Sequence, residues 1–269
     1  MVFKKSTFSK NINNSNFIHS AKSLKIPIFK GKFVLETETM TPKIRVIIPA
    51  YNEQDSIAKV IAEIPPIVSE VIVVSNNSTD NTANVALKAG ATVLHEKKKG
   101  YGFACLLGLK YIANTAPQTD IIVFLDGDYS DYPEELILLI NPILNEKADF
   151  VVGARASFLR NKHSMTPQQV FGNWLATSLM TLFFKSTFTD LGPFRAIKYK
   201  TLMAMNMEDT TYGWTVEMQL KALKMKIKYE EINVRYRKRV GVSKVSGTVK
   251  GTVLAGIKIL GWIFKYSLK

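Results

Sequence analysis

The chain has 269 residues, 46% of them hydrophobic, which supports one large α/β domain with a sizeable core and excludes disorder throughout. Its single cysteine, Cys105, excludes an intrachain disulfide. The formal charge of +14 is uneven: residues 1–45 carry nine Lys/Arg against two acids, 46–220 fourteen against eighteen, and 221–269 thirteen against two.

Basic ends on a mildly acidic body suit an anionic membrane surface. No recognised nucleic-acid motif accompanies the basic ends, so nucleic acid is not expected as a partner. The N-terminus lacks the apolar stretch of a signal peptide, and no segment reaches the roughly 18–20 apolar residues of a membrane span. The expectation is a cytoplasmic protein, peripheral on the membrane face.

In chain order, residues 1–42 are rich in Asn, Ser and Lys and lack periodicity, which reads as a disordered basic extension; Met40 offers an alternative start. A regular pattern begins at residue 43. Strands are expected over 44–49, 71–75, 91–94, 121–125 and 149–152, alternating with helices over 55–64, 81–90, 100–113 and 133–145. That alternation predicts a three-layer α/β/α fold with a mostly parallel central sheet. The second half reads as a helix over 167–184, a strand over 193–198, a helix over 214–225 and a strand over 228–236. A last amphipathic segment covers 248–265, so the chain divides into 1–42, a domain over 43–246 and a C-terminal helix over 247–269.

The polar motifs fall just after strands, where active-site groups of parallel sheets gather. Asp126-Gly127-Asp128 follows the buried run IIVFL. Two carboxylates on the bend leaving a core strand can share a divalent cation such as Mg²⁺ or Mn²⁺, with Ser130 and Asp131 close behind. Pro49-Ala50-Tyr51-Asn52-Glu53 leaves room for a nucleoside; Asn52 or Glu53 either bonds to it or caps the next helix. The run Ser75–Thr82 is a loop and helix cap in its own right. His19, His95 and His163 are scattered and take no role, and Cys105 reads as core.

Together VIIPAYNE, VVSNNSTDNT, KGYGFACLLGL and FLDGDYSDYPEEL resemble family 2 glycosyltransferases of the GT-A, nucleotide-diphospho-sugar transferase fold. VVGAR, DLGPFRAIK, YGWTVEM and YRKRVGVSKVSGT are similar to the polyprenyl- and dolichyl-phosphate sugar transferase branch; the likeness spans about residues 44–250. The resemblance implies an inverting, metal-dependent transfer from a UDP- or GDP-linked sugar. It places the donor nucleotide against Pro49, Ala50, Tyr51, Glu53, Ser75, Asn76, Gly100, Gly102 and Asp126. It places the metal on Asp126, Asp128 and Ser130, and an acceptor phosphate on Arg155, Arg195, Arg237, Arg239 and Lys244. Relatives usually carry Asp where this chain has Ser75, so base preference is open and an inactive domain of the same fold would rest on that serine alone.

The acceptor decides the chemistry. A lipid phosphate is already an oxyanion and needs cations rather than a base. The group Arg235, Arg237, Lys238, Arg239 and Lys244 suits it, with Asp128, Arg237 and Lys244 expected to act in transfer. A hydroxyl acceptor, as on a glycan, would need a carboxylate such as Asp209 or Glu217. The apolar stripe Val253, Ile257, Leu260 and Phe264, flanked by Trp262, is either a core-packed helix or an in-plane membrane anchor.

Overall fold

The computed structural model describes residues 41–241, Ser243 and 249–268. The extension called before residue 41, Met40 and Lys244 lie outside the described residues.

The chain runs β1 (Ile44–Ala50), α1 (Ile57–Ala62), β2 (Val68–Asn76), α2 (Thr82–Lys88), β3 (Thr92–Glu96), α3 (Tyr101–Thr115) and β4 (Ile121–Phe124). A 3-10 turn (Pro133–Glu135) leads into α4 (Leu136–Leu144), then β5 (Phe150–Ala154), α5 (Pro167–Phe184), β6 (Arg195–Lys198), α6 (Tyr199–Met205), α7 (Trp214–Lys224), β7 (Tyr229–Asn233) and α8 (Val249–Ser267). The strands form one sheet in the order β3-β2-β1-β4-β6-β5-β7. All neighbours pair in parallel except β6, which is antiparallel to both β4 and β5.

The apolar strands are continuous because helices cover both sheet faces. Ile47, Ile72, Val74 and Phe124 face α3, α5, α7 and α8. Val46, Ile48, Val73 and Val123 face α1, α2 and α4 on the other side. Successive side chains along a strand point to opposite faces, so adjacent residues of one run feed two cores.

Sequence patterning missed two features. Tyr199, Leu202 and Met205 are the buried residues of α6, whose seven residues are too few for a helical period to stand out. The four-residue β6 gives no sign of its reversed direction. The sheet's order turns at β1 and β4: β2 and β3 lie on one side, β6, β5 and β7 on the other. The crevice beyond the carboxyl ends of β1 and β4 is therefore the place for a ligand.

The start of α3 corrects one expectation. A Cβ on Gly102 would fall on the Asp209 carbonyl, and one on Gly100 on the Thr210 carbonyl. The amides of Gly102 and Phe103 donate to the carbonyls of Thr211 (3.3 Å) and Thr210 (3.0 Å). The space beside both glycines is thus filled by the 209–211 backbone rather than left for a nucleotide. Gly102→Ala should force that backbone away and lower stability by about 1–3 kcal/mol. A thermal melt checks this; an unchanged midpoint would show that the loop yields without cost.

Candidate active site

Two loops beyond β1 and β2 are laced together. The Asn52 amide donates to Ser78 Oγ (3.2 Å), and Asn52 Oδ1 accepts from the Thr79 amide (2.8 Å). The Glu53 amide donates to Thr82 Oγ1 (2.8 Å), and Gln54 Oε1 accepts from the Asn81 amide (3.0 Å). Asn52 takes the left-handed conformation (φ 54°) within this lacing.

Ser75 and Asn76, both buried, end β2. Asn76 holds the next loop: its Nδ2 donates to the Lys98 carbonyl (2.6 Å), and its Oδ1 accepts from the Gly100 amide (2.8 Å). That places Lys99 Nζ 5.5 Å from the centre of the Tyr51 ring. Pro49, Ala50, Tyr51, Ser75 and Asn76 therefore gather at adjacent strand ends.

The acidic cluster follows β4. Asp126 Oδ1 is buried without a hydrogen-bond partner. Burial, and after it the charge of Asp128, push Asp126 up to about 7. Asp128 is oriented by Ser130, whose amide (2.9 Å) and hydroxyl (2.5 Å) both donate to Oδ1. Its Oδ2 meets Arg239 Nη1 at 3.1 Å. Both carboxylate oxygens of Asp131 are buried without partners, and burial, then Asp126 and Asp128, hold it well above the ordinary carboxylate range.

An orphaned hard oxygen beside a second, oriented carboxylate fits a divalent cation. Among the described residues no group of three or more His, Cys, Asp or Glu is placed to hold a metal alone. With Asp126 and Asp128 as the two candidate ligands among the described residues, a diphosphate or water would have to supply the rest. Ser130 is placed to steer Asp128 rather than to stand as an independent third ligand.

The arginines separate. Arg239 alone reaches the acidic site, with Nη2 3.1 Å from Glu53 Oε1 and Nη1 on Asp128. Arg237 is engaged elsewhere: Nη2 donates to Glu63 (2.7 Å), Nε to the Tyr129 carbonyl (2.8 Å), and its guanidinium carbon lies 3.3 Å and 4.3 Å from the Tyr129 and Tyr132 ring centres. Arg155 forms a two-pronged pair with Asp190 (2.8 and 2.6 Å) in the wall of the crevice. Arg195 corrects the sequence reading: it is 0% exposed and donates to the backbone carbonyls of Thr215, Leu191 and Gly192. It holds the core beneath the site and has no face for an acceptor phosphate.

The candidate bases are likewise structural. Asp209 accepts from Trp262 Nε1 (2.6 Å), the amides of Thr211 (2.7 Å) and Gly213 (3.0 Å), and Lys258 Nζ (3.1 Å). Burial alone would raise its pKa, but these donors outweigh it and hold the carboxyl below its usual range. Glu217 is 0% exposed and accepts from the amides of Glu208 and Asp209 (2.8 Å each) and from Lys221 (2.8 Å). Neither carboxylate is placed to receive a substrate proton.

From Asp126, Asp128, Arg155 and Arg239 a cavity of about 360 Å³ runs between α5 and α8. Gly172, Leu175 and Ala176 line one side, and Thr252, Ala255, Gly256, Ile259 and Leu260 the other. Sequence reading missed this groove. The available signal was small residues four apart on two helices, at 172 and 176 and at 252 and 256.

The family model "Glycosyl transferase family 2" matches residues 45–206. The chain belongs to that family. An uncharacterized glycosyltransferase of Mycobacterium tuberculosis is 32% identical over 213 residues, covering 79% of this chain and 94% of that one. A dolichyl-phosphate hexose transferase of Haloferax volcanii is 27% identical over 222 residues, covering 81% and 93%. Among solved structures, glucosyl-3-phosphoglycerate synthase from M. tuberculosis, in complex with Mn²⁺, UDP and phosphoglyceric acid, superposes with a TM-score of 0.66 at 19% identity, covering 84% of this chain and 78% of that one. The family 2 domain thus has the GT-A architecture expected from its motifs.

Because Asp126 must lose a proton to accept a cation, Mn²⁺ affinity should fall by up to about tenfold per pH unit below about pH 7 and level off above it. Calorimetric titration over about pH 5.5–8 reads this, and a flat profile would contradict it. Asp128→Asn should weaken binding by roughly a hundredfold while leaving the melting temperature within a few degrees.

Proposed function

We propose that this family 2 glycosyltransferase moves a sugar, with inversion, from a UDP- or GDP-linked donor to a polyprenyl phosphate at a membrane surface. The observation that carries the reading is the α5–α8 groove: an apolar channel that opens at one end onto two carboxylates and two arginines. Such a channel suits an acceptor with a charged head and a hydrocarbon tail.

The donor nucleotide would lie over Ala50 and Tyr51, with its base toward Ser75 and Asn76. Asp126 and Asp128 would hold Mg²⁺ or Mn²⁺, which supplies charge neutralisation to the diphosphate leaving group when bound. Related structures holding Mn²⁺ or Mg²⁺ with UDP support this choice of donor and cofactor. Arg239 and Arg155 border the place where an acceptor phosphate would enter, and Lys244 follows in the same chain segment.

A lipid phosphate attacks through an oxygen that is already negative, so no base is required. The full engagement of Asp209 and Glu217 within the protein favours this acceptor over a hydroxyl. The likeness to a dolichyl-phosphate hexose transferase supports the same choice.

No helix among the described residues is long and apolar enough to cross a membrane. Helices α5 and α8 nevertheless present exposed apolar side chains: Trp174 (59%), Leu182 (72%), Ile257 (64%), with Phe171, Val253 and Phe264. The Phe183 and Phe264 rings join the two helices at 5.9 Å. The inner side of α8 buries Trp262 and Ile263, while Val253, Ile257 and Phe264 of the predicted stripe face outward. We assign the outer side to a bilayer, which would bring a lipid tail to the groove without passage through water.

With membranes, Mn²⁺ and labelled nucleotide sugars, the product should extract into organic solvent; a product confined to water would favour a hydroxyl acceptor. Gly172→Leu and Gly256→Leu have open space around the new side chain and fill the groove. Each should raise KM for lipid phosphate by about tenfold or more, with donor affinity unchanged.

Phe171→Ser with Leu182→Ser should reduce cosedimentation with anionic liposomes by at least about tenfold, since each buried apolar side chain contributes roughly 1.5–3 kcal/mol. Undiminished binding would show that this face does not meet the bilayer.

A further inference from the structure

We propose that Arg239 is a latch: its guanidinium bridges Glu53 and Asp128, engaging the Asp128 oxygen that a metal ion would use, and a metal–nucleotide complex must displace it. The proposal rests on the reading of Asp128 as a metal ligand and goes beyond it.

The geometry is that of a built contact. Nη1 lies 3.1 Å from Asp128 Oδ2 and Nη2 lies 3.1 Å from Glu53 Oε1, so one planar group bridges two carboxylates from different loops. Asp128 Oδ1 is turned inward onto Ser130, which leaves Oδ2 as the oxygen directed at the crevice. A metal ion on that oxygen would stand close to the guanidinium, and the two positive charges repel each other. Arg239 Nε is buried with no acceptor, so the side chain is held by its two terminal nitrogens.

The backbone delivers the latch. The Arg237 amide donates to the Ser130 carbonyl (2.8 Å), and the Val240 amide to the Asp128 carbonyl (2.9 Å). Residues 237–240 therefore lie along the acidic loop itself. Arg237 fixes the near end by stacking on Tyr129 and Tyr132 and pairing with Glu63. Gly241 follows at φ +77° with open space around it, a conformation that suits a pivot. Displacement would loosen residues 238–240 about Gly241 while the Arg239 charge stays beside the crevice, where it can meet phosphate oxygens instead of carboxylates.

The latch makes metal and nucleotide binding cooperative. A free metal ion must break the Arg239 contacts unaided. A metal–diphosphate complex offers the released guanidinium new acceptors.

The test uses the full chain without any acceptor. Free Mn²⁺ is followed by electron paramagnetic resonance during titration of wild type and Arg239→Gln, each with and without UDP or GDP. If the latch is closed about nine-tenths of the time, Arg239→Gln should bind Mn²⁺ alone about tenfold more tightly than wild type. The enhancement of Mn²⁺ affinity by nucleotide should shrink in the variant. Equal or weaker binding by Arg239→Gln overturns the latch and leaves the metal reading standing. Failure of both proteins to bind Mn²⁺ overturns both. The lipid-acceptor reading is untouched by either result.

A second measurement keeps Arg239 in place. Lys238 is exposed and Cys105 is fully buried, so a spin label on Lys238→Cys reports the segment alone. Mg²⁺ with UDP or GDP should increase its mobility, and Mg²⁺ alone should do so less. An unchanged spectrum with a saturating nucleotide overturns the proposal.

Discussion

Carboxylates gathered at the mouth of a parallel sheet require a cation. Asp126, Asp128 and Asp131 sit within one turn of the chain at the end of β4, and Asp126 and Asp131 are held above the ordinary carboxylate range. The structure answers this demand in two ways: burial raises the proton affinity of Asp126 and Asp131, and Arg239 is brought to Asp128 and Glu53. A divalent ion would answer the same demand in the working enzyme. The site is therefore a concentration of negative charge that favours a cation.

The scaffold around this site is stiff where position matters. Asn52, Gln54, Ser78, Thr79 and Thr82 lace the two loops beyond β1 and β2. Asn76 sets the loop before α3, and the 209–211 backbone seats against the two glycines that open that helix. Asp209 extends the chain of contacts to Trp262 and Lys258 on α8. Loops of this kind hold donor-facing groups in place without substrate.

Much of this was legible in the sequence because it depends on local pattern. The β-α alternation, the 167–184 helix and the carboxylates after IIVFL follow from hydrophobic period and from position at a strand end. The partners of the basic residues did not follow. Arg195, Arg237 and Arg239 all read from the sequence as phosphate-facing, yet one supports core carbonyls, one stacks on tyrosines and one reaches the acids. Charge alone does not say where a long side chain turns. The lysines of α8 make the same point: Lys258 and Lys265 pair with Asp209 and Glu208, although their spacing resembles that of headgroup-seeking residues. The groove escaped notice because it belongs to two helices far apart in sequence.

The Arg239–Glu53 and Arg237–Glu63 contacts span 186 and 174 residues. Contacts of such separation carry a large loop-closure cost until the intervening elements have folded. During synthesis, the donor-side loops and the acidic turn emerge well before the arginines that neutralise them. A ribosome-bound intermediate ending before residue 235 would expose the groove-facing side of α5 and an uncompensated acidic pocket together. The segment that begins at residue 235 thus acts as a closing segment: it must be made before the charges of the acidic turn are compensated.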